Sequence, residues 1–179
     1  MKAKYIFLLT MTLFIVSGCS GSIGGTVVDA DTGQPVEGAV VLAEWTRTSG
    51  KWIGLRATDS YKVVETITDK AGKFSVRGVL NPLVDPPHLT IYKKGYVAWN
   101  NEFIFPDYKK RRDFILQNGY IIKMEKFNEE YSYDKHEDFI MTCIHSSLNI
   151  ESKKKFLDAS KWEEELALQE RTKKRIMGK

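Results

Sequence analysis

From Ile23 to about Met124 the chain is a succession of short alternating apolar runs broken by turn residues, a pattern that predicts an all-β sandwich rather than βαβ units. Ile23, Gly25 and Val27 alternate with Gly24, Thr26 and Val28, and Asp29-Ala30-Asp31-Thr32-Gly33-Gln34-Pro35 then supplies a turn. The turn has a mechanical reading: aspartate side chains accept backbone N–H bonds, Gly33 takes positive φ, and Pro35 fixes φ after the reversal. Gly38 to Ala43 begins a second strand. Thr66-Ile67-Thr68, Asp69-Lys70-Ala71-Gly72 and Lys73-Phe74-Ser75-Val76 together predict a hairpin with Phe74 and Val76 on one face. Leu89 to Tyr92 is the next strand, and runs at Glu102 to Phe105 and Asp113 to Leu116 flank a basic tip. A last strand from Tyr120 to about Phe127 brings the count to about seven, as a small sandwich requires. With 42% hydrophobic and 12% aromatic residues, the chain has the material for such a core.

Three of these stretches carry a family resemblance. Ile23-x-Gly25-x-Val27-x-Asp29-x-x-Thr32-Gly33-x-Pro35-Val36-x-Gly38-Ala39-x-Val41, Thr68-Asp69-x-x-Gly72-x-Phe74-x-Val76 and Leu89-x-Ile91-x-x-x-Gly95-Tyr96 occur in the order and spacing of the carboxypeptidase regulatory-like domain, which the chain resembles well over 23–98 and loosely over 99–124. The resemblance implies a mainly β fold, a seven-stranded prealbumin-like (transthyretin-like) Greek-key sandwich. Such a module is usually accessory, adhesive or structural and has no active site of its own. One departure is the long connection at 47–62, with Trp52 and Tyr61, readable as an extended hairpin or as a loop. Pro82 to His88 forms a second irregular segment.

After Phe127 the apolar period becomes helical. Asp134-x-x-Glu137 reads as a capping box, and Phe139, Ile140, Cys143, Ile144 and Leu148 make one apolar face, which should dock on the sandwich. A second helix is expected from Ser160-x-x-Glu163 to about Met177, its early glutamates and late Arg171, Lys173, Lys174 and Arg175 opposing the macrodipole. Its apolar face, Trp162, Leu166 and Ile176, is thin, so it is expected to stand partly detached or to pack on a partner.

The front of the chain addresses location. Lys2 and Lys4 precede an apolar run from Tyr5 to Val16, too short to cross a bilayer as a helix, and Val16-Ser17-Gly18-Cys19 resembles the bacterial lipobox. The expected organisation is a lipoprotein signal peptide at 1–18, a lipidated tether at 19–22 beginning at acylated Cys19, the sandwich at 23–127 and a helical extension at 128–179. Several acyl chains make a stable anchor. By similarity to Gram-negative lipoproteins, Ser20 rather than Asp after the cysteine favours the outer membrane, with the domain facing the periplasm.

Without residues 1–18 the chain keeps 25 basic residues against 23 acidic ones, a net charge of +2, so charge offers nucleic acid little, and export disfavours it further. Cys143 is then the one remaining thiol and has no intramolecular partner.

Candidate chemistry is sparse. Asp29-x-Asp31-x-Gly33 opens like a calcium loop, but Gly33 replaces a ligand and Val40 stands where the bidentate glutamate belongs. His88, His136 and His145 begin no zinc-peptidase pattern, and His136 with His145 reads as surface decoration. The purine-pathway hydrolases of transthyretin-like fold end in Tyr-Arg-Gly-Ser, which is absent here. Ser146 and Ser147 beside His145 point about 100° apart on a helix and lack an orienting third group. Cys143 on an apolar face reads as an inert small hydrophobe. No cofactor, metal or catalytic residue is expected.

Contact surfaces are the remaining candidates. Lys109, Lys110, Arg111 and Arg112 form a basic tip, read first as charges that block edge pairing and second as a site for anionic head groups. Trp45 continues the Ala39, Val41, Ala43 parity and belongs to the core, whereas Trp52 and Trp99 fall in loops and offer stacking faces for a glycan or peptide. Lys179 at the end resembles the terminal lysine by which a small lipoprotein joins peptidoglycan. The expected role is a non-catalytic binding or scaffolding module of the cell envelope with an envelope protein or glycan partner. The alternatives are a small envelope hydrolase using a pocket near the C-terminal helix, or a structural subunit of an envelope complex.

Overall fold

The computed structural model describes residues 21–50, 57–144 and 150–178. Among them nine strands form three sheets, followed by two helices. A three-stranded sheet has the order β4 (Lys73–Arg77), β1 (Ser22–Asp29), β9 (Tyr120–Met124); β1 pairs antiparallel with β4 and parallel with β9. A four-stranded sheet has the order β3 (Ala57–Ile67), β2 (Val40–Ser49), β5 (His88–Tyr92), β6 (Trp99–Asn100). The short strands β7 (Phe103–Ile104) and β8 (Lys109–Lys110) pair with each other. The helices are α1 (Tyr133–Cys143) and α2 (Lys154–Ile176), the second entered through a 3₁₀ turn at Ile150–Lys153.

β1 and β4 alternate because one face of their sheet is wet: Val27, Phe74 and Val76 point inward while Lys73, Ser75 and Arg77 point out. β2 does not alternate, since both its faces are covered. Val41, Ala43 and Trp45 meet Val27, Phe74, Ile122 and Met124 between the sheets. Val40 and Leu42 turn the other way, toward Phe139, Ile140, Cys143 and Phe156 of the helices. The uninterrupted apolar run Val40 to Ala43 is therefore the mark of a central strand sandwiched twice. Trp45 lies in the core as its parity predicts.

Several expectations are met by local chemistry. Asp29 Oδ1 accepts from the Asp31 and Thr32 amides at 3.1 and 2.8 Å, and Gly33 takes φ 69°. The described parts of the 47–62 connection continue the β2–β3 ladder, paired from Val40↔Ile67 to Ser49↔Ala57 with a bulge at Trp45/Thr46. α1 docks its apolar face on the sheet as expected, and the Thr90 hydroxyl donates to the Cys143 carbonyl at 3.2 Å.

Others are corrected. The Asp69–Gly72 turn forms, Asp69 Oδ1 accepting from the Ala71 and Lys73 amides, yet it joins no hairpin: β3 pairs with β2 and β4 with β1, so the turn carries the chain between sheets. A Cβ on Gly72 would stand 2.3 Å from the Val27 carbonyl, which is why this crossing needs glycine. No strand forms at 113–116; the partner of Phe103–Ile104 is Lys109–Lys110. α1 is capped by Ser132, whose Oγ faces the Lys135 amide at 3.4 Å, rather than by Asp134. α2 starts at Lys154 instead of Ser160 because the Glu65 carboxylate of β3 accepts from the Lys155 and Phe156 amides, at 3.1 and 2.7 Å. Nor is this last helix detached: Phe156, Glu163 and Ala167 are buried, and Arg171 binds Asp134 and Glu137 of α1.

Candidate functional site

The titratable residues nearest to a catalytic arrangement lie where α1, α2 and β5 meet. His136, expected on the surface, is fully buried. The Ala98 amide donates to its Nε2 at 2.8 Å, so that nitrogen accepts and Nδ1 carries the proton toward Glu163. Glu163 also accepts from the Tyr92 hydroxyl at 2.7 Å, and the Trp162 indole N–H donates to that hydroxyl at 2.6 Å. Burial, and then the Glu163 charge, raise the Tyr92 pKa. Every polar atom of this chain of bonds is already engaged, with the imidazole ringed by Phe105, Phe127 and Phe139. Such a fully satisfied network fixes two helices on a sheet. A groove of about 270 Å³ between the helices reaches Glu163 but is lined otherwise by residues such as Glu137, Met141, Asp158 and Lys161, not by His136.

A second buried pair joins Lys153 to Glu44 of β2. Sequence reasoning passed over both pairs. The available signal was a lone glutamate inside the run Val40 to Trp45: a carboxylate on a doubly covered strand demands a cation.

Cys143 is buried and its pKa is pushed up to about 12 by desolvation, as an inert thiol requires. Asp29 sits at the far end of β1, its carboxylate held well below the usual range by the Thr32 amide first and also by the Thr32 and Tyr96 hydroxyls. Among the described residues no group of three or more His, Cys, Asp or Glu is arranged to hold a metal ion.

The surface candidates divide. Trp99 is not a loop residue: it pairs with Ile91 in β6 and is 5% exposed, so strand parity turns its ring into the core against Phe114 at 5.1 Å. Arg111 lies over that indole at 4.8 Å and donates through Nε to the Asn100 carbonyl at 2.7 Å. Of the four basic residues, then, Arg111 is turned inward, while Lys109, Lys110 and Arg112 stay exposed. Lys109 pairs with Asp107 at 2.8 Å, and that carboxylate raises its pKa. Lys94 stacks on Trp162 of α2 at 4.5 Å. Beside Trp99 a cleft of about 500 Å³ opens, lined by Arg111, Asp113, Lys123, Glu125 and Asp31 among others, so it mixes both signs of charge. Cys19, Trp52, His145, Ser146, Ser147, Leu148 and Lys179 lie outside the described residues.

The model of the carboxypeptidase regulatory-like domain matches residues 22–117, more than half of the chain. The chain belongs to that family. Its domains are typically non-catalytic β-sandwich modules. In this regulatory-like domain the match ends before β9, which nevertheless completes the β4-β1-β9 sheet, and the two helices lie beyond it. No curated protein matches the chain. Among solved structures a streptococcal ancillary pilin is similar at 17% identity, over 61% of this chain and 30% of the pilin chain, with a TM-score of 0.31.

Proposed function

We propose that this regulatory-like domain is a non-catalytic binding or scaffolding module of the cell envelope, held at the outer membrane by acyl chains on Cys19 and facing the periplasm. The finer fold reading is a seven-strand prealbumin-like Greek key, supported by strand orders β4-β1-β9 and β3-β2-β5-β6. One observation carries the passive reading: the His136–Glu163 pair, the best acid–base combination described, is spent inside the helix–sheet junction. What faces solvent is a contact surface, the exposed cations Lys109, Lys110 and Arg112 beside the mixed cleft, suited to an envelope protein or glycan and not to nucleic acid. Photocrosslinkers at Lys110 and Arg112, with Gln34 as the control, test this in intact cells. Recovery of a discrete adduct from 110 or 112 supports the reading; equal, diffuse labelling from all three sinks it. Acyl-chain mass on Cys19, lost in Cys19→Ser, tests the anchor.

A second reading, subunit of an envelope complex, is favoured by the far end of α2. There Leu168, Ile176 and Met177 are exposed and line an apolar groove of about 430 Å³.

A further inference from the structure

The end of the sandwich where the described chain begins carries exposed apolar side chains on two loops. Leu80 and Leu83 are 81% and 74% exposed, and Ile115 is 73% exposed with Leu116 beside it. Both loops are tied to the first residues of β1. The Gly78 amide donates to the Gly21 carbonyl at 2.5 Å, and a side chain at Gly21 would stand 3.0 Å from Leu80 Cδ2. On the other side of β1, Asn118 Oδ1 accepts from the Gly24 amide at 3.1 Å and the Gly119 amide donates to the Gly24 carbonyl at 2.9 Å.

The leucines are held outward by a built loop. Val79 and Val84 pack on the core, while Asn81 Oδ1 accepts from the Leu83 amide at 3.0 Å. The Asp85 amide donates to the Thr46 carbonyl at 2.9 Å, and the Thr48 hydroxyl donates to the Asp85 carboxylate at 2.7 Å. Arg77, exposed at the end of β4, lies three residues before Leu80 in the chain.

We propose that this end of the domain lies against the bilayer and sinks Leu80, Leu83 and Ile115 among the lipid head groups. The proposal rests on the reading of Cys19 as an acylated anchor. The chain length chooses the occupant: Ser20 alone separates Cys19 from Gly21, and two residues span at most about 7 Å. An acylated Cys19 therefore brings Gly21, and Leu80 in contact with it, to the level where amphipathic surfaces bury their apolar side chains. The opposite end, with the Asp29–Pro35 turn, is a full β1 strand away.

The test uses the mature acylated protein in vesicles of phosphatidylethanolamine and phosphatidylglycerol, with Cys143→Ala and a polarity-sensitive dye on Leu80→Cys, Leu83→Cys or Gln34→Cys. Blue-shifted emission at 80 and 83, lost to a quencher carried on lipid tails, with emission at 34 unchanged, is the expected result. Labels at 80 and 83 that behave like the one at 34, on protein whose mass includes the acyl chains, overturn the insertion and leave the anchor standing. A mass without acyl chains removes the anchor, and the insertion with it.

Discussion

His136 and Glu163, 27 residues apart in sequence, meet inside the protein, and their contact locks α1 to α2 above the four-stranded sheet. The Ala98 amide on one side and the Tyr92 hydroxyl on the other complete the connection to β5 and the segment before β6. Removing one partner leaves buried polar atoms of the other unsatisfied in an apolar shell, at a cost of about 1–3 kcal/mol. His136→Ala and Glu163→Ala are each expected to lower unfolding free energy by that amount in urea titrations; a loss below about 1 kcal/mol would show the pair to be dispensable.

The Glu44–Lys153 pair behaves differently when both members go. Glu44→Ala or Lys153→Ala alone is expected to cost about 3–5 kcal/mol, while Glu44→Leu with Lys153→Met comes close to wild type, because the double change leaves no buried charge behind. A double-mutant cycle reads the difference. Additive losses in the double variant would contradict the account.

Acid should loosen the fold from two places. Asp29 is held below its ordinary value of 3.8, by the Thr32 amide above all. Glu170 lies at about 2: burial opposes its charge, but the Ser132 hydroxyl, Lys174 and the Asp134 amide outweigh it. Both folded pKa values are depressed, so the stabilisation is complete above 4.5 and is lost as pH falls through the folded values. Melting temperature is expected to fall from pH 5 to pH 2, and Asp29→Asn and Glu170→Gln should flatten that limb while lowering the plateau at neutral pH.

Arg111 is expected to separate from its neighbours. Arg111→Ala loses the stacking on Trp99 and the bond to the Asn100 carbonyl, at about 1–2 kcal/mol. Lys110→Ala and Arg112→Ala should stay within about 0.5 kcal/mol of wild type, since both side chains are exposed. Equal losses at all three positions, measured by thermal melting, would mean the basic strand acts as one structural unit.

What could be read in advance shares a short range. The Asp29 and Asp69 turns, the positive φ of Gly33 and the inward parity of Phe74, Val76 and Trp45 depend on residues two to four positions away, so composition and order reveal them. Trp99 escaped because β6 has two residues, too few to display an alternation. The start of α2 escaped because its first amides are satisfied by Glu65, 90 residues upstream, where no cap can be seen in the local sequence.

From its sequence alone this chain was bound to be a mainly β domain followed by helices, since periods of two and of 3.6 are imposed by backbone geometry wherever one face is buried. Only the tertiary structure decided which strands share a sheet, that the last helix is docked, and that His136 is sealed rather than exposed. Those outcomes depend on which distant carboxylates, amides and aromatic rings come together when two sheets and two helices close, and burial raises the cost of any polar group left out.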